Sequence, residues 1–352
     1  MPLRARSPLE TARLLAAVYG RRIDPVIYTQ GVGISGRLRA LALDPATQAG
    51  PERDARLREI ETLVEPYVTG ARPMFASDAG GQHLAGTVWA EDLFMLTGDS
   101  RYRQSMVAAA DRYAPGASGL PPPPSDANFR TEDMFFAAAV LGRAFRHTGE
   151  PRYLALLAPY MAAAAARQRP QGLFWHCDDA PYFWGRGNGF AAIGFAEALT
   201  YLPADHPVRP MLIVSHRRHL MALASSSAPS GMLRQVLDVP DSYEELSATC
   251  MTGYAVARGL RIGWLDMTAF RPVLDRLWAA AQHRIDDDGG VTGVCVGTGV
   301  QPDLRAYLDR PAVSGYDDRG GSLALWFAAE MAACILTPAW LRPAPAQIRP
   351  PV

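Results

Sequence analysis

Helical periodicity runs along most of this chain and restricts the folds that it can adopt. Ten segments of about 10–17 residues carry apolar side chains at the spacing of α-helices, and loops containing Pro, Gly or Asp separate them. Alternation typical of a β-strand is limited to short pieces such as Val291–Val296. Helices in such succession predict an all-α protein made of helical hairpins. The predicted helices are Ser7–Val18, Pro51–Tyr67, Tyr102–Tyr113, Thr131–His147, Arg152–Gln168, Phe190–Tyr201, Val208–Ala224, Tyr243–Leu260, Met267–His283 and Ser322–Leu336.

A repeated motif supports the hairpin prediction. The sequence LTGDSRY at Leu96–Tyr102 returns as HTGEPRY at His147–Tyr153, and an acidic-aromatic piece precedes each copy, at Glu91–Met95 and Glu132–Phe136. We expect Thr-Gly to end one helix, the acid to cap the next one, and the Tyr to pack into the hairpin. The spacing of about 50 residues is typical of stacked helix pairs. Unequal loops and concentrated chemistry favour a closed toroid of inner and outer helices with one central cleft over an open solenoid.

Composition excludes several classes of function. The 352 residues are 49% hydrophobic with a net charge of zero, which gives no reason to expect a nucleic-acid partner. All 35 basic residues are Arg, so Schiff-base chemistry, a Lys-anchored pyridoxal phosphate and a phosphate loop completed by Lys are excluded. No apolar run approaches the roughly 18 residues of a membrane span. The basic start is followed by a segment broken by Arg13, so we predict a cytoplasmic protein without a secretory signal.

The chain shows no linker that divides it into domains. We predict a single domain at residues 1–337 and a Pro-rich tail at residues 338–352. Four Cys residues lie far apart without a CxxC motif, which predicts reduced, mostly buried thiols and no zinc site.

The most informative segment is GLFWHCDDAPYFWGRGNGF, at Gly172–Phe190. Aromatic faces beside carboxylates and an Arg suit a sugar site, because pyranose rings need flat apolar surfaces and an acidic sugar needs a cation. Three glycines in five residues suit turns or a close approach of two backbones. The alternative is a structured loop that buries its own Trp residues. The candidate site residues here are Trp175, His176, Asp178, Asp179, Tyr182, Trp184, Arg186 and Asn188.

Glu132 and Asp133 form a second candidate, in the segment NFRTEDMFF. The proton donor is expected in the preceding segment, where one of Asp178 and Asp179 lies beside Trp175 and Trp184 and is expected to be partly desolvated with a raised pKa. The structural alternative is equally open, since acids stabilise the first turn of a helix that Thr131 or Asn128 would cap.

Three further loops have a mainly structural interpretation. A helix that begins SYEELSAT is expected to have a capping box formed by Ser242 and Glu245. The acidic run Asp286–Gly290 lacks the ligand spacing of a calcium loop and is predicted to be a tight turn without metal. The loop Tyr316–Ser322 is a candidate for closing the ring and lining the cleft.

At WGRGNGF the chain resembles the unsaturated glucuronyl and rhamnogalacturonyl hydrolases of glycoside hydrolase family 105, with family 88 as a relative. The resemblance covers roughly Asn128–Met331. It rests on TEDMFF, HTGEPRY, the His-x-x-Asp loop with WGRGNG, the stretch RQVLDVPDSYEELSATCMTGYAVARGLRIGWL, and the later VCVGTG and GYDDRGGSLAL.

The resemblance implies an (α/α)6 toroid and a hydrolase that needs no cofactor. Such enzymes act on oligosaccharides whose non-reducing uronic acid carries a C4–C5 double bond made by a lyase. An Asp protonates C4, water adds at C5, and the hemiketal collapses and releases the neighbouring sugar. The expected partner is therefore an unsaturated oligosaccharide of pectin or glycosaminoglycan type, bound by a monomer or a homodimer.

Matched residue by residue, the resemblance implies that Asp179 is the acid and base, with His176 beside it. The second carboxylate is expected at Asp133, with Glu132 as the alternative because the register is uncertain by one. Arg186 and Trp184 match contacts to the sugar carboxylate and ring. The remaining expected substrate contacts are Trp175, Tyr182, Asn188 and Arg234.

Departures from the family pattern affect the expected substrate preference more than the reaction. Phe190 stands where the family usually has Trp, Leu233 and Arg234 replace an aromatic before the Gln of QVLD, and a Trp upstream of the acidic pair is missing. Two other classes of function remain open, a non-catalytic sugar-binding toroid and a different toroid enzyme such as a lyase or an epimerase. The sequence does not decide which sugar follows the uronate.

Overall fold

The computed structural model describes residues 6–47, 49–117 and 120–336, and within them the chain is mostly helical, as predicted. The Pro-rich segment 338–352 lies outside the described residues. The helices are α1 Pro8–Val18, α2 Tyr28–Leu43, α3 Pro51–Val68, α4 Gly81–Leu84, α5 Trp89–Thr97, α6 Ser100–Ala110, α7 Thr131–Thr148, α8 Pro151–Ala165, α9 Gly185–Tyr201, α10 Arg209–Ser225, α11 Leu246–Ile262, α12 Met267–Gln282, α13 Leu304–Leu308 and α14 Asp318–Leu336. Antiparallel pairs join β1 Leu233–Arg234 to β2 Glu244–Glu245, and β3 Val291–Cys295 to β4 Ala312–Gly315.

The longest buried helices form the centre of the molecule. Helix α7 packs against α9, α9 against α11, α11 against α14, and α14 against α2. Helices α1, α8, α10 and α12 pack outside them. Burial of apolar surface between these two sets supplies the main stabilisation of the fold.

Helix α2 was not predicted from the sequence. Its sequence YTQGVGISGRLRALAL is buried on nearly every side, so it lacks the one-sided apolar stripe that marks a surface helix. Its glycines lie where neighbours come close: a methyl group on Gly31 would lie 2.4 Å from the carbonyl oxygen of Gly86. Neighbouring backbones, more than intrinsic propensity, explain this composition.

Two predicted helix starts were wrong. Helix α9 begins at Gly185, so the WGRGNG motif forms its first turn and does not stay a loop. Helix α11 begins at Leu246, where Glu245 is the N-cap and its carboxylate accepts the backbone N–H groups of Ser247 and Ala248. The expected Ser242 capping box is absent because Glu245 already satisfies these donors and Glu244–Glu245 pairs with β1.

The two copies of the repeated motif behave largely as predicted. Gly98 and Gly149 end α5 and α7 in the left-handed conformation, with φ of 73° and 72°. The Asp99 carboxylate caps α6 through the N–H of Arg101. Glu150 makes no such cap on α8, and its carboxylate pairs with the Arg152 side chain, 2.6 Å away.

Helix α14 departs from the expectation that no segment of the chain resembles a membrane span. Among the described residues it alone has the length and hydropathy of a membrane-spanning helix, but 78% of the relevant window is buried inside the protein. Such burial is the property of a core helix. All four Cys are free and buried, as predicted.

Candidate active site

A cavity of about 660 Å³ opens where α2, α4, α7, α9 and α14 begin. Both acids of TEDMFF reach it, and so do Arg319 from the first turn of α14 and Gly297–Gly299 from the loop after β3. The prediction that the loop Tyr316–Ser322 contributes to the cleft is therefore confirmed through Arg319. The principal lining side chains are Tyr28, Asp78, Gln82, His83, Asp126, Arg130, Glu132, Asp133, Phe136, Trp184, Arg186, Phe190, Thr298 and Arg319.

Asp133 is the carboxyl group in this cavity with the properties of an acid. It lies in the first turn of α7 and is only 7% exposed. Burial raises the pKa of Asp133 to about 7, and the neighbouring charge of Glu132 adds to the shift. The N–H of Asp126 donates to Oδ2 at 2.9 Å, and a methyl group on Gly81 would lie 3.1 Å from Oδ1. The side chain is thus fixed and protonated near neutral pH.

Glu132 directly precedes Asp133 in the chain, but its surroundings favour the charged form of its carboxyl group. Both of its carboxylate oxygens lie near His176 Nε2, at 3.0 and 3.2 Å. Burial opposes the charge of Glu132, but the His176 ring prevails and holds the pKa of Glu132 below its usual range. His176 is itself fully buried, with Nδ1 2.5 Å from the Tyr307 hydroxyl and the Trp184 ring centroid 4.5 Å from its own. Since an ionised carboxylate only accepts, His176 donates to Glu132 from Nε2.

Aromatic rings form one wall of the cavity. Phe190 packs edge-on against Tyr28 and Phe136, with centroids 5.3 and 5.4 Å away. Trp184 is buried, and its indole N–H has no hydrogen-bond partner among the described residues. These apolar faces suit the ring of a sugar.

Three guanidinium groups line the cavity, and they differ in burial and in hydrogen bonding. Arg186 is buried, and its two terminal nitrogens donate to the carbonyl oxygens of Cys295 and Val296, each at 2.6 Å. Arg130 and Arg319 are about one-third exposed. An anionic ligand would therefore find available N–H groups on Arg130 and Arg319, whereas Arg186 mainly holds the loop after β3.

Comparison with known proteins agrees with this arrangement. Residues 177–335 match the model of Glycosyl Hydrolase Family 88. We call residues 177–335 the family 88 region, because they match that model.

Relatives of the chain carry names that describe related activities. The chain is 31% identical over 151 residues to the unsaturated rhamnogalacturonyl hydrolase YesR of Bacillus subtilis, covering 42% of this chain and 41% of the relative. It is 29% identical over 116 residues to an unsaturated 3S-rhamnoglycuronyl hydrolase of Alteromonas, covering 32% of this chain and 28% of the relative. The alignments thus span less than half the length of these two relatives.

The fold extends beyond the family 88 region. A family 105 glycoside hydrolase from C. acetobutylicum superimposes with a TM-score of 0.79 at 18% identity, covering 92% of this chain and 99% of that one. Residues before the family 88 region, including α1 to α7, therefore belong to the shared fold.

Asp179 does not lie where the sequence analysis expected the catalytic acid. Its side chain is exposed, and it does not line the cavity. Asp178 beside it is also exposed and pairs with Arg167, 3.0 Å away. This placement corrects the prediction, because a carboxyl group in open solvent is neither desolvated nor next to a bound sugar. Of the two predicted catalytic carboxyl groups, the structure places only Asp133 in the cavity.

Several predicted substrate contacts lie outside the cavity and stabilise the structure around it. Asn188 is buried, and its amide bonds the backbone N–H and carbonyl of Phe174. Trp175 lies under the Arg169 guanidinium, 3.8 Å from its ring centroid, and Tyr182 packs against Tyr307. The Arg234 guanidinium donates to the carbonyl oxygens of Pro240 and Ser226. None of these four side chains lines the cavity, nor does His176, which acts on it through Glu132.

Sequence reasoning missed the residues that come from the first part of the chain. Tyr28, Asp78, Gln82 and His83 reach the cavity from α2 and from the segment around α4. The acid and amide side chains of SDAGGQHL were a usable signal, but the helix that supplies Tyr28 was not recognised. The acidic run Asp286–Gly290 is a tight turn as predicted, in which the Asp286 carboxylate accepts the N–H of Gly290 at 2.7 Å.

The first glycine of WGRGNG permits a close backbone approach that can be tested. Gly185 donates its N–H to the carbonyl oxygen of Gln235, and a methyl group here would lie 2.1 Å from the carbonyl oxygen of Arg234. We expect Gly185→Ala to lower the free energy of unfolding by at least about 1–3 kcal/mol, because two backbones would have to separate. Urea denaturation measures the change. Gly80→Ala is the control, since nothing lies within 4 Å of its added methyl, and equal loss in both variants would refute the explanation.

Proposed function

We propose that this protein is a hydrolase that removes a 4,5-unsaturated uronic acid from the non-reducing end of a lyase-generated oligosaccharide. The observation that carries the proposal is the buried Asp133 carboxyl group, protonated near neutral pH in a cavity lined by aromatic rings and arginines. Protonation of an enol ether needs a positioned acid of this kind. The names of the two relatives support the same chemistry.

In the proposed reaction, Asp133 replaces Asp179 as the proton donor. The Asp133 proton goes to C4, positive charge spreads over C5 and the ring oxygen, and water adds at C5. The hemiketal then opens, and the neighbouring sugar leaves as an alcohol. Glu132 stays ionised and close to the developing positive charge, which it stabilises.

We propose that the uronate carboxylate binds to Arg130 and Arg319. Both guanidinium groups line the cavity and keep exposed N–H groups, and Arg is suited to two-point binding of a carboxylate. Arg186, which the sequence analysis assigned to this contact, is engaged with two backbone carbonyls. Phe190 in place of Trp leaves a smaller aromatic face for the ring.

We further propose that the described helices form an (α/α)6 toroid. Helices α2, α5, α7, α9, α11 and α14 would be the inner ring, and α1, α3, α6, α8, α10 and α12 the outer ring. Contacts of α1 with α2, α6 with α7, α8 with α9 and α11 with α12 support this alternation. The cytoplasmic location, the single domain and the oligomeric state stay predictions.

A panel of unsaturated disaccharides, made by lyases from pectin and from glycosaminoglycans, tests the activity. We expect the ultraviolet absorbance of the conjugated double bond to decay with at least one member, because hydration removes the alkene. Binding without any loss of absorbance would instead indicate a non-catalytic sugar-binding toroid. A rise in absorbance with an intact polysaccharide would indicate a lyase.

A further inference from the structure

We propose that a second cavity, between α1, α2 and α3, binds a phosphate- or sulfate-type oxyanion, with Arg37 at its base. This cavity has a volume of about 290 Å³ and shares no lining residue with the candidate active site. The inference therefore goes beyond the proposed function and does not depend on it. The charged side chains that line the second cavity are Arg13, Arg21, Arg37, Arg56, Asp44 and Glu59.

Arg37 is the buried cation of the second cavity. Its side chain is only 5% exposed, whereas the side chains of the other three arginines are between 42% and 51% exposed. Nη1 of Arg37 donates to the carbonyl oxygen of Gly20 at 2.9 Å, and Nη2 lies 3.0 Å from Oε1 of Glu59. These contacts hold the Arg37 guanidinium in place, so an anion that enters past the exposed arginines reaches a fixed cation.

Two of the four guanidinium groups have an acid of their own. Asp44, whose side chain is 5% exposed, accepts a hydrogen bond from Nε of Arg13 at 2.7 Å. Glu52 accepts a hydrogen bond from Arg56 at 2.6 Å, at the surface. Acids of the protein itself therefore compensate the charges of Arg13 and Arg56.

The other two guanidinium groups, those of Arg21 and Arg37, share one acid. Glu59 forms an ion pair with each of them. One carboxylate carries a single negative charge, so these two arginines keep an excess of positive charge beside the cavity. Burial of an incompletely compensated charge is unfavourable, and an anion from solvent would reduce that penalty.

The pKa of Arg37 shows the same imbalance. Burial lowers the pKa of Arg37, and the charge of Arg21 lowers it further, while Glu59 opposes the shift only in part. Burial also opposes the charge of Arg143, but Glu197 prevails there and holds the pKa of Arg143 above its usual value. Arg37 thus lacks the compensation that this arginine of the core has.

The arrangement of the donors favours a tetrahedral oxyanion over a single carboxylate. The guanidinium groups come from different elements: Arg37 from α2, Arg56 from α3, and Arg21 from the segment after α1. A phosphate or sulfate group presents oxygens in several directions and can bond more than one arginine, whereas a carboxylate presents two oxygens in one plane. Apolar side chains such as Ala40 and Ile60 also line the cavity, so the site accommodates a small carbon group attached to the anion.

Calorimetric titration of the full chain with inorganic phosphate and with sulfate, at constant ionic strength, tests the site. We expect one saturable site in the wild type and at least about tenfold weaker binding in Arg37→Met, because charge-assisted hydrogen bonds at the base are lost. Arg305→Met is the matched control. It removes the same charge from a side chain that is 80% exposed and lies outside the cavity, and it should bind both anions as the wild type does.

Thermal unfolding provides a second measurement. Since the anion would contact residues from separate helices in the folded state alone, phosphate should raise the melting temperature of the wild type and of Arg305→Met, but not that of Arg37→Met. Glycerol phosphate distinguishes the source of the anion. Tighter binding than that of inorganic phosphate would indicate a phosphate ester as the ligand, and equal or weaker binding would indicate the free ion.

Three results would overturn the proposal. The first is the absence of saturable binding of both anions to the wild type at tens of millimolar, and the second is unchanged binding in Arg37→Met. The third is equal weakening in Arg37→Met and Arg305→Met, which would reduce the effect to net charge.

A rim variant keeps the test decisive if circular dichroism shows that Arg37→Met does not fold. Arg21→Met then replaces it, because the Arg21 side chain is 42% exposed. Weaker binding is again expected, and unchanged binding would again overturn the proposal. None of these titrations uses an unsaturated sugar, so a failure of the proposed function would leave their outcome unaffected.

Discussion

Replacing Asp133 with Asn is expected to lower kcat by about 10²–10⁴-fold, because an amide cannot donate the proton that starts the reaction. Asp179→Asn is expected to stay within a few fold of the wild type. The two positions differ in their surroundings: Asp133 is buried in the cavity, and Asp179 is exposed outside it. The decay of alkene absorbance under saturating substrate measures both variants.

The comparison separates two assignments of the acid. The Asn side chain keeps the shape of Asp and can still accept the N–H of Asp126, so Asp133→Asn should remain folded. Circular dichroism of both variants is the control for folding. If Asp179→Asn were inactive and Asp133→Asn active, the assignment based on the sequence motif would stand and the one based on the cavity would fall.

Asp133→Asn is also expected to make the protein more stable above neutral pH. Burial raises the pKa of Asp133 from 3.8 to about 7, so the folded state holds a proton that the unfolded state releases. The stability contributed by this protonated group is fully present below pH of about 4 and is lost as pH rises to about 7. A difference of roughly three pKa units corresponds to about 4 kcal/mol at most. An amide carries no charge and avoids this loss.

Urea denaturation at two pH values tests this effect. At pH 8 we expect the variant to exceed the wild type by about 2–4 kcal/mol, and at pH 4.5 by much less. Other buried ion pairs, such as Arg143–Glu197, contribute equally to both proteins and cancel in the comparison. A constant difference at both pH values would mean that packing, and not the titration of Asp133, causes the change. Removal of an active-site acid often stabilises a protein, because such groups are kept for activity at a cost in stability.

Part of the site was predictable from residue types alone. The pair Glu132–Asp133 was recognised as a candidate at the start of an apolar helix, with a structural role equally open, and the structure places both carboxyl groups in the cavity. Trp184 and Arg186 were recognised in the same way and also reach the cavity. Their local motif is distinctive because glycines, aromatics and charges rarely occur together without a structural reason.

Other parts of the site were not predictable, because they depend on contacts between distant segments. His176 follows Glu132 by 44 positions, and nothing in either sequence shows that one would hold the other. Tyr307 lies a further 131 positions along the chain. The burial that sets the pKa of Asp133 likewise depends on α4 and on Asp126, which the chain brings together only after folding.

The sequence by itself determined the helical class of this protein, the ends of α5 and α7, and the residue types available for catalysis. These are local properties, since periodicity, capping and composition act within a few residues. Only the tertiary structure decided which carboxyl group is the acid. Asp179 and Asp133 have the same functional group, and the difference between them is burial, which arises when helices from separate parts of the chain pack together.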